Sequence, residues 1–317
     1  MSENSENPTM PQSPEPQAEQ TAEPQAQQAQ QPAEASASAG AGTPGPSQAA
    51  AARRAAERAA AEDRAERMRP RALRMFPEGT GPSPDPAGSH FERRIRSFQP
   101  RRSRVTTGQG EALKKWWPTR GIDIDGQRVL DLDAMFGGLP VVLEIGFGMG
   151  EATAQMAAAD PSTGILAVDV HTPGQGNLLG LAERNDLSNV RVANGDAIIL
   201  LREMLAPDSL TGLRVYFPDP WPKARHHKRR LIQPEFLSLA ATRLAPGAVL
   251  HCATDWENYA EQMLEVLSAH PDFENTQADG GYTPRPDFRP LTRFEGQGLD
   301  KGHKVHDLMF RRVPHPS

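Results

Sequence analysis

The sequence predicts an α/β protein, a mostly parallel sheet with helices on both faces, and three observations point there. From residue 140 onward, strand-length apolar runs alternate with helix-length amphipathic stretches, the pattern of a parallel sheet with covering helices. The runs are nearly all apolar, as in strands buried on both faces. A glycine-rich turn, Gly146-Phe147-Gly148-Met149-Gly150, follows the first run and opens the first helical stretch. Glycines there let backbone approach a ligand at a helix N-terminus.

In order, the elements are strand Val141–Ile145, helix Glu151–Ala159, strands Ile165–Val170 and Val190–Ala193, and helix Ala197–Leu205. Strand Leu213–Phe217, helix Pro234–Leu244, strand Ala248–Ala253 and helix Trp256–Ala269 follow. Residues 306–312 read as a closing strand, and Pro271–Pro290, rich in Gly, Pro and Asp, as a long irregular connection. No internal repeat is visible.

Composition divides the 317 residues unevenly. Residues 1–50 contain no Lys, Arg or aromatic residue and consist largely of Gln, Pro, Ala, Glu and Ser. Such a segment has almost nothing to bury and is expected to be disordered. Residues 51–75 turn to Ala and Arg, a composition for at most a transient helix because it lacks an apolar face. Prolines 77, 82, 84 and 86 then interrupt the chain. The reading is a low-complexity tail over residues 1–89 and one globular domain over 90–317, large enough for a single core.

The formal net charge is −5, but six glutamates are the only charges before residue 51, and the rest of the chain carries +1. Positive charge is concentrated locally, which suits a protein that engages nucleic acid at one place. Cys252 is the sole cysteine, which excludes an intramolecular disulfide and favours a reducing compartment. It lies in an apolar run and reads as a buried structural thiol. No leader pattern opens the chain and no apolar run reaches membrane-spanning length. A cytoplasmic protein with no membrane contact is expected.

Residues 216–230 carry the most specific signal, Tyr-Phe-Pro-Asp-Pro-Trp-Pro-Lys-Ala-Arg-His-His-Lys-Arg-Arg. Asp219 is held between two prolines at the end of an apolar run, so it sits in a stiff turn. Lys223, Arg225, Lys228, Arg229 and Arg230 follow closely. A basic run alone usually just faces water; a rigid acid beside it points to one group for chemistry and several for a polyanion. His226 and His227 are adjacent, without the spacing of helical metal ligands, and no metal is expected. Arginines 93, 94, 96, 101, 102 and 104, with Phe91 and Phe98 interleaved, form a second cationic stretch suited to phosphates and stacking, or to plain packing as an extension.

Three acids stand at successive strand ends. Glu144 precedes the glycine loop, Asp169 follows the second strand and Asp196 the third. Singly, Asp169 and Asp196 are as much helix caps as ligand contacts; three together beside a glycine loop form a rarer arrangement. A dinucleotide loop would have its third glycine at position 151, which is Glu151. A pyrophosphate would be repelled by Glu144 and Glu151, whereas a sulfonium cation bearing an amino acid tolerates them.

With these residues in view, the chain resembles the bacterial tRNA (guanine-N7)-methyltransferases, within the class I S-adenosylmethionine-dependent methyltransferases. The likeness runs from Phe98 to Arg312 and rests on Glu144–Gly150, Phe217–Arg230, Ala253-Thr254-Asp255-Trp256 and Leu291–Leu308. It implies a Rossmann-like, seven-stranded, mostly parallel sheet, S-adenosylmethionine as cofactor, and tRNA as partner. The activity it implies is methylation at N7 of guanine 46 in the tRNA variable loop. It implies further that Glu144, Gly146, Gly148, Gly150, Asp169, Asp196 and Asp219 contact the cofactor or border its pocket. Asp219 would be the catalytic residue. Lys223, Asp255, Thr292, Arg293, Phe294 and Glu295 would contact substrate, and Arg225, His226, His227, Lys228, Arg229 and Arg230 would bind RNA. Asp169 stands where the family commonly has Glu, and His306 where it has another aromatic residue. Alternatives are a methyltransferase of another RNA, a small molecule or a protein, against which the basic runs argue. A non-catalytic tRNA-binding protein is a third reading, against which the intact glycine loop and acids argue.

Overall fold

The computed structural model describes residues 104–291, 295 and 304–314. The expectations placed on the tail, the Ala/Arg stretch, the arginines before Arg104, and Thr292, Arg293 and Phe294 lie outside the described residues.

Eight strands among the described residues form one sheet, against the seven expected. They are β1 (Gly121–Asp123), β2 (Val141–Ile145), β3 (Gly164–Val168), β4 (Val190–Asn194), β5 (Leu210–Tyr216), β6 (Leu244–Thr254), β7 (Phe273–Asn275) and β8 (His306–Arg312). Their order is β1-β4-β3-β2-β5-β6-β8-β7. The pairings from β1 through β6 are parallel, whereas β8 runs antiparallel to β6 and β7 antiparallel to β8. β1 and β7, which the sequence pattern did not mark, are three-residue edges, too short to show a periodicity. β7 lies within Pro271–Pro290, which the sequence presented as irregular. β6 starts earlier than its apolar run, at Leu244, because Leu244 pairs with Leu210 across an irregularity in the ladder.

The chain steps from β2 outward through β3 to β4, then returns to β2's other side with β5. This reversal puts the carboxyl ends of β2 and β5 side by side, Ile145 opposite Val215, where open α/β sheets form their ligand crevice.

Helices α1 (Thr107–Arg120), α2 (Leu132–Phe136), α3 (Glu151–Ala159), α4 (Thr172–Arg184), α5 (Ala197–Ile199), α6 (Pro234–Ala241) and α7 (Glu257–Ser268) accompany the strands. The expected Ala197–Leu205 helix is one α turn continued as π-helix over Leu200–Met204. The α1 helix opens with a capping box, Thr106 with Gln109. The α4 segment contains Pro173, Gly174, Gly176 and Gly180, residues that look like breakers. Their reason is contact: a Cβ on Gly174 would lie 1.8 Å from the Gly148 carbonyl oxygen. Only glycine lets α4 lie against the glycine loop.

The core is double. Leu143, Leu166, Leu213 and Leu250 pack with Phe236, Tyr259 and Met263 on one side. Ile165, Ala167, Val190 and Val192 pack with Leu113, Trp117 and Leu178 on the other, which is why the strands are apolar throughout. No helix among the described residues is long and apolar enough to cross a membrane.

Candidate active site

Glycines 146, 148 and 150 have φ of 82°, 60° and 79°, the left-handed region that glycine enters without strain. A Cβ added at Gly146 or Gly148 would meet nothing within 4 Å, so the loop presents backbone to open space.

Glu144 lies behind this loop, 3% exposed. Its Oε1 accepts a hydrogen bond from Thr153 Oγ1 at 3.1 Å, and its buried Oε2 has no hydrogen-bond partner in the protein. Burial pushes its pKa up to about 7, partly offset by Arg214. A buried, orphaned carboxylate oxygen beside an open glycine loop fits the cationic amino-acid end of S-adenosylmethionine.

A testable consequence concerns protons. The native protein holds a proton on Glu144 that the unfolded chain releases near 4.5, so this group's contribution to stability falls as pH rises from 4.5 to about 7. A cation at Oε2 favours the ionised form. Cofactor binding is therefore expected to release protons below about pH 7 and to tighten as pH rises toward it. Glu144→Gln should abolish both effects, which calorimetry in buffers of different ionisation enthalpy measures.

Asp169 Oδ2 accepts the Gly148 N–H at 2.9 Å, and Oδ1 accepts the His171 N–H at 3.0 Å. Burial raises its pKa against those backbone bonds. Its short side chain thus braces the glycine loop at the end of β3. Asp196 is the N-cap of α5, with Oδ1 accepting the Ile198 N–H at 2.9 Å. Gln175, buried on α4, was not singled out in the sequence. Its Nε2 donates to Asp169 O at 2.6 Å and Asn194 Oδ1 at 3.0 Å, tying together the ends of β3 and β4.

The turn after β5 is strained. Phe217 (φ 50°) and Trp221 (φ 45°) occupy the left-handed region, and each precedes a proline. Such a conformation persists only where its surroundings enforce it. The Phe217 N–H donates to Ala253 O at 2.7 Å, so the turn carrying Asp219 stands beside the end of β6 and Asp255. Asp219 and Asp255 are half-buried.

The cations separate into two kinds. Lys223, Arg225, Lys228 and Arg229 are exposed, and His226 and His227 are half-buried; all but Lys223 lie in the 3-10 helix Ala224–Arg229. Arg229 lies over the Trp221 ring at 5.0 Å, and His226 meets that ring edge-on at 5.8 Å.

Arg230, expected among the RNA-contacting cations, is placed otherwise: it is 1% exposed. Its Nε donates to Pro220 O at 2.8 Å, Nη2 to Asn258 Oδ1 at 2.9 Å and Nη1 to Gln262 Oε1. The guanidinium also covers Tyr259 at 4.7 Å. It is a strut fixing the Asp219 turn to α7. Glu295, expected at the substrate, is 2% exposed and forks onto Arg289, with Oε2 2.7 Å from Nη1 and Oε1 2.9 Å from Nη2.

Strand register reveals a row that the sequence reading passed over: Glu144 is opposite Arg214, and Arg214 opposite His251. Each is the lone acid, arginine or histidine in its apolar stretch, the signal by which it was findable. Arg214 Nη1 is buried without a hydrogen-bond partner. His306 packs its ring on Tyr282 at 4.3 Å, and burial lowers its pKa, so a neutral ring fills the family's aromatic position. Cys252 is buried and its thiol pKa is pushed up by that burial, an inert thiol. Among the described residues, no three His, Cys, Asp or Glu side chains gather as a metal site would need.

Comparison with known proteins agrees. A family model described as "Putative methyltransferase" matches residues 139–308. The chain is 79% identical to the tRNA (guanine-N(7)-)-methyltransferase of Streptomyces coelicolor over 76% of this chain and 88% of that one. It is 79% identical to the Streptomyces avermitilis protein of the same name, over 75% and 81%, and 54% identical to the Burkholderia ambifaria one, over 75% and 92%. With relatives this similar over three quarters of its length, the chain belongs to the bacterial tRNA (guanine-N(7)-)-methyltransferase family.

Proposed function

We propose that this protein transfers a methyl group from S-adenosylmethionine to N7 of a guanine in tRNA, the variable-loop guanine 46. The observation that carries the reading is the juxtaposition at the sheet's reversal point. The open glycine loop after β2 neighbours the strained Asp219 turn after β5, and four exposed cations follow that turn directly.

When bound, the cofactor supplies a methyl group activated on a sulfonium. Guanine N7 carries a lone pair and no proton, so the protein has no base work to do. Its tasks are alignment and negative potential beside the ring that becomes cationic. Glu144 and the glycine loop hold the donor; Asp169 and Asp196 border its ribose and adenine ends. The Asp219 carboxylate accepts hydrogen bonds from guanine N1–H and N2–H₂ and faces the developing charge. Asp255, at the end of β6, with Thr292, Arg293 and Phe294, completes the base-reading edge. Lys223, Arg225, Lys228 and Arg229 hold phosphates, so tRNA choice comes from shape and from the exposure of the base. A cytoplasmic location is the one that suits a tRNA-modifying role.

The test is transfer of labelled methyl from S-adenosylmethionine to bulk tRNA, followed by nucleoside analysis. Label in 7-methylguanosine is expected; label in another nucleoside, or none in RNA, overturns the reading. For the cations, replacing Arg225, Lys228 or Arg229 by Ala is expected to make the slope of log affinity against log salt shallower by about 0.7–0.9 each. Filter binding across a salt series reads it, and an unchanged slope removes that residue from the interface.

A further inference from the structure

Arg289 is 1% exposed, and its guanidinium is bound on several sides. Nη1 donates to Glu295 Oε2 at 2.7 Å, and Nη2 donates to Glu295 Oε1 and Asp307 Oδ2, each at 2.9 Å. Its Nε lies 2.7 Å from Asp307 Oδ1. The same Asp307 oxygen is 2.7 Å from His251 Nε2, and His251 Nδ1 is 2.9 Å from the Tyr216 hydroxyl. The guanidinium carbon lies 5.9 Å from the Tyr216 ring centre and 5.8 Å from that of Phe217.

A buried ion network of this kind is a poor source of net stability, because desolvation of the charges offsets their attraction. What a guanidinium forked onto two carboxylates supplies is fixed geometry. Here the three parts it fixes belong to different places. Glu295 closes the run expected to read the guanine, Asp307 stands near the start of β8 opposite Ala253 of β6, and Tyr216 and Phe217 lead directly into the Asp219 turn.

We propose that Arg289 is a positioning residue for methyl transfer: anchored by Glu295 and, through Asp307 and His251, tied to Tyr216, it holds in place the strand end that leads into the Asp219 turn. The proposal rests on the methyl-transfer reading above. Arg289 itself is too enclosed to touch substrate. Its loss leaves the donor site on β2–β4 and the phosphate contacts on the exposed cations intact, and separates the guanine from the methyl group.

Arg289→Lys keeps the charge and removes the fork. Cofactor affinity by calorimetry is expected to stay within about twofold and tRNA affinity within about threefold, while kcat falls about a hundredfold, the scale of an ångström-level misplacement. Asp307→Asn, which weakens the tie to the sheet but leaves the Glu295 fork, is expected to lower kcat about tenfold with the same split. A purely structural role predicts something else, that transfer scales with the number of cofactor-binding sites counted by calorimetry. Unchanged kcat per binding site overturns the proposal. So does failure of both variants to bind cofactor, which would make the network a requirement of folding. A wild-type protein that methylates no tRNA guanine sinks the functional reading instead.

Discussion

Asp219→Ala is expected to cripple methyl transfer in a protein that remains folded. The residue is half-buried in a turn outside both core clusters, so the sheet does not depend on it. In the proposed mechanism its role is electrostatic: the carboxylate fixes the guanine edge and faces the charge that grows on the ring. Removing one such preorganised group costs about a hundredfold to a thousandfold in turnover. The strain at Phe217 and Trp221 (φ 50° and 45°) supports this assignment, since a backbone held against its preferences at about 1–3 kcal/mol per residue marks a functional turn. Cofactor affinity is expected to fall less than turnover, because the glycine loop and Glu144 are untouched. Single-turnover transfer to tRNA, with calorimetry of the cofactor, separates the two. Near-normal turnover would remove Asp219 from the mechanism.

Arg230→Ala is expected to give the largest loss of stability among the basic-run substitutions. Its guanidinium ties Pro220 O to Asn258 and Gln262 on α7 and covers Tyr259. Charge-assisted bonds of this kind contribute about 1.5–3 kcal/mol each. With partial relaxation the variant loses about 3 kcal/mol, or about 6–12 °C in Tm for a domain of this size. Transfer falls as well, because the tether on the Asp219 turn is gone. Arg225→Ala, at an exposed position, is expected within about 0.5 kcal/mol of wild type. Thermal denaturation of the pair decides it. An unchanged Tm in Arg230→Ala, with weaker tRNA binding and a shallower salt slope, would return Arg230 to the RNA-contacting group.

The contrast between Arg229 and Arg230 measures what was legible. As letters in one basic run they are equivalent, yet one lies exposed over Trp221 and the other is buried under the turn. The difference is made by α7, which begins almost thirty residues further along the chain. The same holds for Glu295, a substrate candidate by its motif, whose carboxylate is engaged by Arg289. In the fold, β1 and β7 were missed because three-residue edges carry no periodicity. Helix α4 was missed because its glycines, which look like breakers, serve contact with Gly148 and its neighbours.

By itself, the sequence determined the alternation of buried strands and helices, the glycine loop, the acids at successive strand ends and the stiff Pro-Asp-Pro turn. These follow from the geometry of neighbouring residues, from apolar period, glycine's access to positive φ and proline's fixed φ. Only the tertiary structure decided that Glu144, Arg214 and His251 stand in one row, that Arg230 is a strut, and that Arg289 joins Glu295 to Asp307. Those roles depend on strand register and on partners brought together by packing. A side chain's charge is written in its own residue, but whether that charge is solvated, paired or orphaned is set by residues distant along the chain.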